Sequence, residues 1–207
     1  MVDRLVNLVS PRYDCGVMNP DGVALLELVD CLGRLIRGDL RVRGGASRLQ
    51  PVHLQALLYL RQANRYSNTP LALAEYLGST KGTVSQSLLV LHRQGLLERY
   101  ADEHDRRVVR LRLSRRGEAL LADDGLAGVW GEAVGGLAAA EVATARQVLQ
   151  EVLRNLQQAR GSRSFGACHT CAHFRREGPT AFRCGLTGEA LSAEDSQRIC
   201  REHAWPA

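Results

Sequence analysis

Between residues 79 and 113 the spacing of apolar residues changes from helical to alternating, and that switch narrows the fold more than any other feature of the chain. In "STKGTVSQSLLVLHRQG" Val84, Leu88 and Leu91 fall at i, i+4 and i+7, the buried stripe of a helix that opens at a Ser79 or Thr80 cap and stops at Gly95. In "VRLRLS" Val109, Leu111 and Leu113 alternate with Arg110 and Arg112, the period of a half-buried strand with a cationic outer face. That strand pairs naturally with "LLERY" across the turn "ADEHDR".

The segments around this switch read as helices. Residues 21–37 place Leu25, Leu28, Val29, Leu32 and Ile36 on one stripe after an Asp21 cap, and "GDLRVRGGAS" follows as a Gly- and Arg-rich connection. "PVHLQALLYLR" is a second helix with Pro51 in its first turn, and "TPLALAEYLG" a short third, capped by Thr69 and stopped at Gly78. After the strands, "SRRGEALLADD" restarts a helix, and Ser114 with Glu118 loosely resembles a cap. The Gly-rich stretch 125–136 is expected to break or kink the path. A last helix, about 138–159, carries a wide apolar stripe of Val142, Ala145, Val148, Leu149, Val152, Leu153 and Leu156, for which the first helix is the expected partner, within one subunit or between two.

Charge points the same way as pattern. Residues 41–120 hold 14 Arg or Lys against 6 Asp or Glu, and the rest of the chain is close to neutral although the whole carries +5. A local positive field suits a polyanion better than a small acidic metabolite, although a genome that writes Arg wherever a cation will do would raise the count as well. Lys81 is the only lysine in the chain. Helix, short helix, polar-faced helix and a ribbon with an arginine-rich tip make a winged helix-turn-helix. The helix fits the major groove, and the ribbon can put an Arg toward the narrower minor groove.

The stretch "LAEYLGSTKGTVSQSLLVLHRQGLLERYADEHDRRVVRLRLSRRG" resembles the MarR family of bacterial transcription regulators, with Asp102, Asp105, Arg107, Leu113 and Gly117 at characteristic places and the likeness extending over about residues 21–160. The resemblance implies a homodimer held by the first and last helices of that region. It also implies binding to pseudo-palindromic promoter DNA and a response to a small phenolic ligand or to thiol oxidation. By position Ser79, Thr80, Lys81, Thr83, Ser85, Gln86 and Ser87 would be the reading end of the recognition helix. Arg106 and Arg107 would be the wing tip, with Asp105 steadying Arg107, and Arg110 is counted with them as a candidate DNA contact. For each Arg the plainer reading is a solvated surface charge.

Residues 161–207 stand outside the ordinary pattern of that family. They hold four of the six cysteines, Cys168, Cys171, Cys184 and Cys200, in the spacing C-x2-C-x12-C-x15-C, with His169, His173 and His203 nearby. Their apolar residues are too few for about 45 residues to fold unaided, and a metal bound by the four cysteines would supply the missing stabilisation. One CxxC with two distant single cysteines suits an iron–sulfur cluster. Zinc is the alternative, and His173 or His203 could replace one ligand. Incidental thiols on a loose tail, or disulfides, are the plainer readings. A change in the metal centre is expected to tilt the last helix and so alter the spacing of the two reading heads.

The expected organisation is thus mainly α with a small β-wing. An N-terminal extension covers 1–20 and a winged helix-turn-helix with dimerisation helices 21–160, its DNA-binding core about 51–117; a cysteine-rich metal-binding tail covers 161–207. No enzyme motif competes: GxSxG, Walker and HExxH patterns are absent, His53 and His92 read as structural or surface residues, Cys31 as a buried one, and Cys15 as an alternative reactive thiol. There is no apolar run of membrane-spanning or signal-peptide length, so a cytoplasmic location with no membrane partner is expected. Two rival readings stay open. One is a small-ligand-responsive repressor whose tail is a structural zinc site; the other is a protein-interaction module whose cysteine-rich tail docks a partner.

Overall fold

The computed structural model describes residues 19–46, 48–103, 105–122 and 125–206. They fall into two compact units, one up to Pro51 and one from Val52 onward. Most of the expected extension 1–20, with Cys15, lies outside the described residues.

The first unit contains helix α1, Pro20–Ala46. Asn19 rather than Asp21 caps it, accepting from the Gly22 N–H at 2.7 Å; Asp21 sits in the first turn, where its charge complements the helix dipole. The expected connection after residue 37 is instead more helix. Gly38 and Gly45 meet nothing that a side chain would fill, and the helix tolerates them. Leu28, Val29, Leu32 and Leu35 are exposed along α1, and Cys31 is half-buried rather than buried.

In the second unit α2 (Pro51–Gln62), α3 (Pro70–Tyr76) and α4 (Lys81–Arg93) lead into strands β1 (Leu97–Ala101) and β2 (Val109–Leu113). The strands pair antiparallel, Leu97 opposite Leu113 and Ala101 opposite Val109. Thr69 caps α3 by accepting from Ala72 N–H, and Thr80 caps α4 by accepting from Thr83 N–H. Both helices end with glycine in the left-handed region, Gly78 at φ 59° and Gly95 at φ 67°. The next residues close the exit: Ser79 N–H donates to Ala74 O, and Leu96 N–H to Leu91 O. The core is the meeting of Leu54, Leu57 and Leu60 with Leu73, Val84, Leu88, Leu91, Leu97, Leu111 and Leu121, all buried. His53 is buried among them.

Helix α5, Arg115–Ala122, starts where Ser114 Oγ accepts from Gly117 N–H at 3.1 Å. A Cβ on Gly117 would stand 2.1 Å from the backbone oxygen of Leu96, which has no freedom to move because it accepts from Ser114 N–H. Gly117→Ala is therefore expected to lower stability by about 1–3 kcal/mol, as overpacking does. A reduced urea midpoint at unchanged m-value would be the sign of it.

The glycine-rich stretch is helix α6, Gly125–Gly135, not a break. Helix α7, Ala139–Ala159, begins close to the expected residue, but no residue on it is buried. Val142, Val148, Leu149, Val152, Leu153 and Leu156 are all exposed.

Residues 161–206 make a small module of short strands. β3 (Gly166–Ala167) pairs with β7 (Ile199–Cys200), while β4 (Phe174–Arg176), β5 (Phe182–Cys184) and β6 (Ala190–Leu191) form a three-stranded sheet, and α8 (Ala193–Gln197) lies between β6 and β7. Its buried centre is Cys168, Leu191 and Cys200, with Tyr66, Phe174, Phe182 and Cys184 packed around it. This module belongs to the same compact unit as the helix-turn-helix. Among the described residues no helix is long and apolar enough to cross a membrane.

Candidate nucleic-acid interface and thiol chamber

Helix α4 presents Lys81, Thr83, Ser85 and Gln86 to solvent from its first two turns, while Val84, Leu88 and Leu91 hold the opposite face in the core. Three neighbouring candidates have local duties. Thr80 is exposed but its hydroxyl caps the helix and meets Thr83 Oγ1 at 2.9 Å; Ser79 Oγ donates to Leu77 O at 3.4 Å. Ser87 is buried and donates to Thr83 O at 3.1 Å, so it cannot reach a base edge from this face. Its expected reading role is corrected to a structural one; one residue past Gln86, the helix turn carries it inward.

At the wing, Arg106 and Arg107 are exposed. Asp105 supports Arg107 through the backbone, its Oδ1 accepting from Arg107 N–H at 3.0 Å, and Asp102 Oδ1 accepts in turn from Asp105 N–H. Arg110 differs. Its Nε donates to Asp102 Oδ2 at 2.7 Å and its Nη1 donates to the backbone oxygen of Arg65 and to Asn68 Oδ1. With its side chain only 20% exposed, Arg110 fastens the wing to the turn before α3, and its guanidinium is not free for a phosphate. Arg112 pairs with Glu98 at 2.6 Å on the exposed face and lies over the Tyr100 ring.

The four C-terminal cysteines line one small cavity of about 30 Å³, together with Tyr66, His173, Phe174 and Leu191. All four are free thiols. The chamber offers amide donors to sulfur: Cys171 Sγ accepts from His173 N–H and Ala204 N–H, each at 3.4 Å, and Cys168 Sγ accepts from Asn64 Nδ2, also at 3.4 Å. The Cys168 thiol donates to Cys200; that hydrogen bond, with burial, drives Cys168 up, while Cys200 is pulled down by the same bond against its own burial. Among the described residues no three His, Cys, Asp or Glu side chains already stand as a metal-holding group. The arrangement is a convergent thiol chamber, with two of its sulfurs hydrogen-bonded to each other, rather than a finished coordination sphere.

His203 is corrected as a substitute ligand. It is buried outside the chamber, with Ser164 Oγ 2.7 Å from Nδ1 and Thr170 Oγ1 3.0 Å from Nε2. His169 meets the backbone oxygen of Ser196, whereas His173 does line the chamber. Burial lowers the pKa of His203 from 6.5. It is therefore neutral in the folded chain at pH 7, and the stability that this neutral, bonded ring contributes is lost as pH falls below 6.5 and through the depressed value.

No sequence pattern marks the seam that fastens this module to the helix-turn-helix. Asn64, Ser67, Tyr66 and Glu75, polar residues with no motif around them, form that seam.

Residues 49–108 match the model of the MarR family. Among solved structures the chain is similar to the transcriptional regulator PA3341, at 30% identity over 65% of this chain and 98% of that one, with a TM-score of 0.57. It is also similar in fold to the Staphylococcus aureus MepR–DNA complex (22% identity, 63% and 94% covered, TM-score 0.55). A third is Streptococcus pneumoniae FabT in complex with DNA (22%, 66% and 96%, TM-score 0.54). No curated protein sequence matches the chain.

Proposed function

The chain belongs to the MarR family of winged-helix regulators, and on that premise we propose that it is a cytoplasmic transcription regulator, not an enzyme, binding a pseudo-palindromic promoter site as a homodimer. The observation that carries the proposal is the placement of Lys81, Thr83, Ser85 and Gln86 on the open face of α4, in one compact unit with a wing whose exposed tip holds Arg106 and Arg107. Two proteins of the same fold, MepR and FabT, are solved with DNA. The surplus of cations between residues 41 and 120 supplies the attraction to phosphate.

Phosphate and base contacts separate experimentally. Arg107→Ala is expected to weaken binding about equally on all duplexes and to flatten the salt dependence by about one unit of slope. Gln86→Ala is expected to relax preference at one base position, costing about 1–3 kcal/mol on the preferred site alone. Titrations by fluorescence anisotropy at several salt concentrations check both; salt-insensitive binding would instead favour a protein-interaction module.

The finer reading is that Cys168, Cys171, Cys184 and Cys200 hold an iron–sulfur cluster whose state modulates DNA binding. The donor set supports it: four thiols face one largely apolar chamber, and amide N–H groups aimed at the sulfurs of Cys168 and Cys171 are among the features that set cluster potentials. Such a cluster would supply one-electron chemistry responsive to oxidant or iron supply. A structural zinc site is the second reading, favoured by the cavity's size, about that of one water-sized body. Under it the signal would be a small effector, for which a cavity of about 430 Å³ between wing and turn, lined by Tyr66, Asn68, Tyr100, Glu103 and Arg110, is the candidate place. Iron, zinc and sulfide measured on anaerobically purified protein, with its visible spectrum, decide between the two.

A further inference from the structure

We propose that the turn joining α2 to α3 is the element through which the thiol chamber acts on the reading head, and that Asn64 is the positioning residue that couples them; this rests on the four-thiolate reading above. Asn64 is 2% exposed, and its polar groups are divided between the two sides. Toward the C-terminal module its Nδ2 donates to Cys168 Sγ at 3.4 Å and its backbone N–H to Ile199 O at 2.9 Å. Toward the turn its Oδ1 accepts from Tyr66 N–H at 3.0 Å and from Ser67 Oγ at 2.7 Å.

The bonds continue in both directions. Ser67, fully buried, accepts at Oγ from Arg201 N–H at 2.7 Å and at its carbonyl from Tyr59 OH at 2.8 Å. One residue on, Asn68 O accepts from Leu111 N–H of the wing at 2.8 Å, and Asn68 Oδ1 accepts from Arg110. Thr69, the cap of α3, comes next. The module also grips α3 from outside: the Arg201 guanidinium pairs with both carboxylate oxygens of Glu75, at 2.6 and 2.8 Å, and Phe165 packs edge-on to Tyr59 and Tyr76.

A buried turn whose amides and hydroxyls bond to a second module is ordered only while that module is folded, because unpaired buried polar groups are costly. The centre of the module is two buried cysteines and one leucine, so its folding depends on what the cysteines hold. Loss of the metal therefore releases Asn64, Ser67 and Glu75 together. The base of the wing and the cap of α3 loosen with them. The route runs through the reading head itself, in addition to any tilt of α7.

The test uses the full-length chain, metal-replete and chelated, with two readouts: hydrogen exchange at the 66–68 and Leu111 amides, and DNA affinity at fixed salt. In the wild type, removing metal should speed exchange at those amides and shift affinity by about 5–150-fold, the usual range of coupling between sites. Asn64→Asp keeps the acceptor toward Tyr66 and Ser67 and loses the donor toward Cys168. It should bind metal about 10–100-fold more weakly yet load fully when metal is supplied in excess, and at full loading the difference between the two states should collapse. Glu75→Gln, outside the chamber, should shrink the difference with metal content unchanged, and it covers the case in which Asn64→Asp does not fold. A wild-type difference that survives in the folded variants overturns the coupling. Should the purified chain carry no metal, the metal reading fails by itself; Cys168→Ser then perturbs the seam, and unchanged exchange at 66–68 overturns the coupling separately.

Discussion

Replacing Cys168 and Cys171 together by Ser is expected to yield a chain that carries no metal, unfolds the module beyond residue 160 and binds DNA with an altered affinity. The size of the effect follows from how small an apolar core the module has of its own. Its buried apolar centre is Leu191 with the two cysteines Cys168 and Cys200, and Phe174 and Phe182 are only partly covered. Zinc sites in peptides of this size contribute about 10–16 kcal/mol of apparent folding free energy, more than such a core provides. The helix-turn-helix should survive, since Leu54, Leu57, Leu73, Leu88 and Leu111 form a core of their own. The double variant should thus show near-native helix content by circular dichroism, new protease cleavage after residue 160, and no bound iron or zinc. Cys31→Ser, on α1 and away from these residues in sequence, is the control and should change none of these. A double variant that keeps its metal would remove these cysteines from the ligand set.

The second large effect is expected on α7. Leu149→Arg with Leu153→Arg should convert the dimer to monomer at micromolar concentration and abolish specific DNA binding. Val142, Val148, Leu149, Val152, Leu153 and Leu156 make an apolar stripe that is exposed among the described residues, whereas α2, α3 and α4 of the reading head bury Leu57, Leu73 and Leu88. A second copy, in the homodimer proposed above, would cover such a stripe. Two unpaired cations at an interface centre cost several kcal/mol, enough to shift dissociation by more than about 100-fold. A monomer engages one half-site, forfeiting much of the roughly 4–10 kcal/mol that separates specific from non-specific binding. Sedimentation equilibrium reads the first effect and anisotropy the second. An unaltered dimer would place the interface elsewhere.

The reading head was legible from the sequence because its signals are local. Thr69 and Pro70, Gly78, the Thr80 cap and Gly95 each specify backbone geometry through their own chemistry, and the change of apolar period marks β1 and β2. Glycine misled where it was counted rather than placed. Gly125, Gly128, Gly131 and Gly135 recur every three or four residues, a helical spacing, and the stretch is α6; Gly38 did not end α1 either. Ser79 to Ser87 are neighbours along the chain, whereas the helix turns Ser87 into the core. Arg110 and Arg112 alternate identically in sequence, and only the folded neighbours Asp102, Arg65 and Asn68 separate the fastened arginine from the exposed one. The seam around Asn64 was invisible for the same reason. Its partners Cys168 and Ile199 lie more than a hundred residues away, and no spacing rule links them.

The most direct measurement is the DNA affinity of one anaerobic preparation before and after removal of its metal, at a single salt concentration, on a duplex enriched by the protein from a random library. A regulator governed through its C-terminal cysteines should enrich a pseudo-palindromic duplex and bind it with affinities that differ by about 5–150-fold between the two states. Equal affinities in both states would contradict the metal control. Failure to enrich any duplex above non-specific binding would contradict the regulator itself.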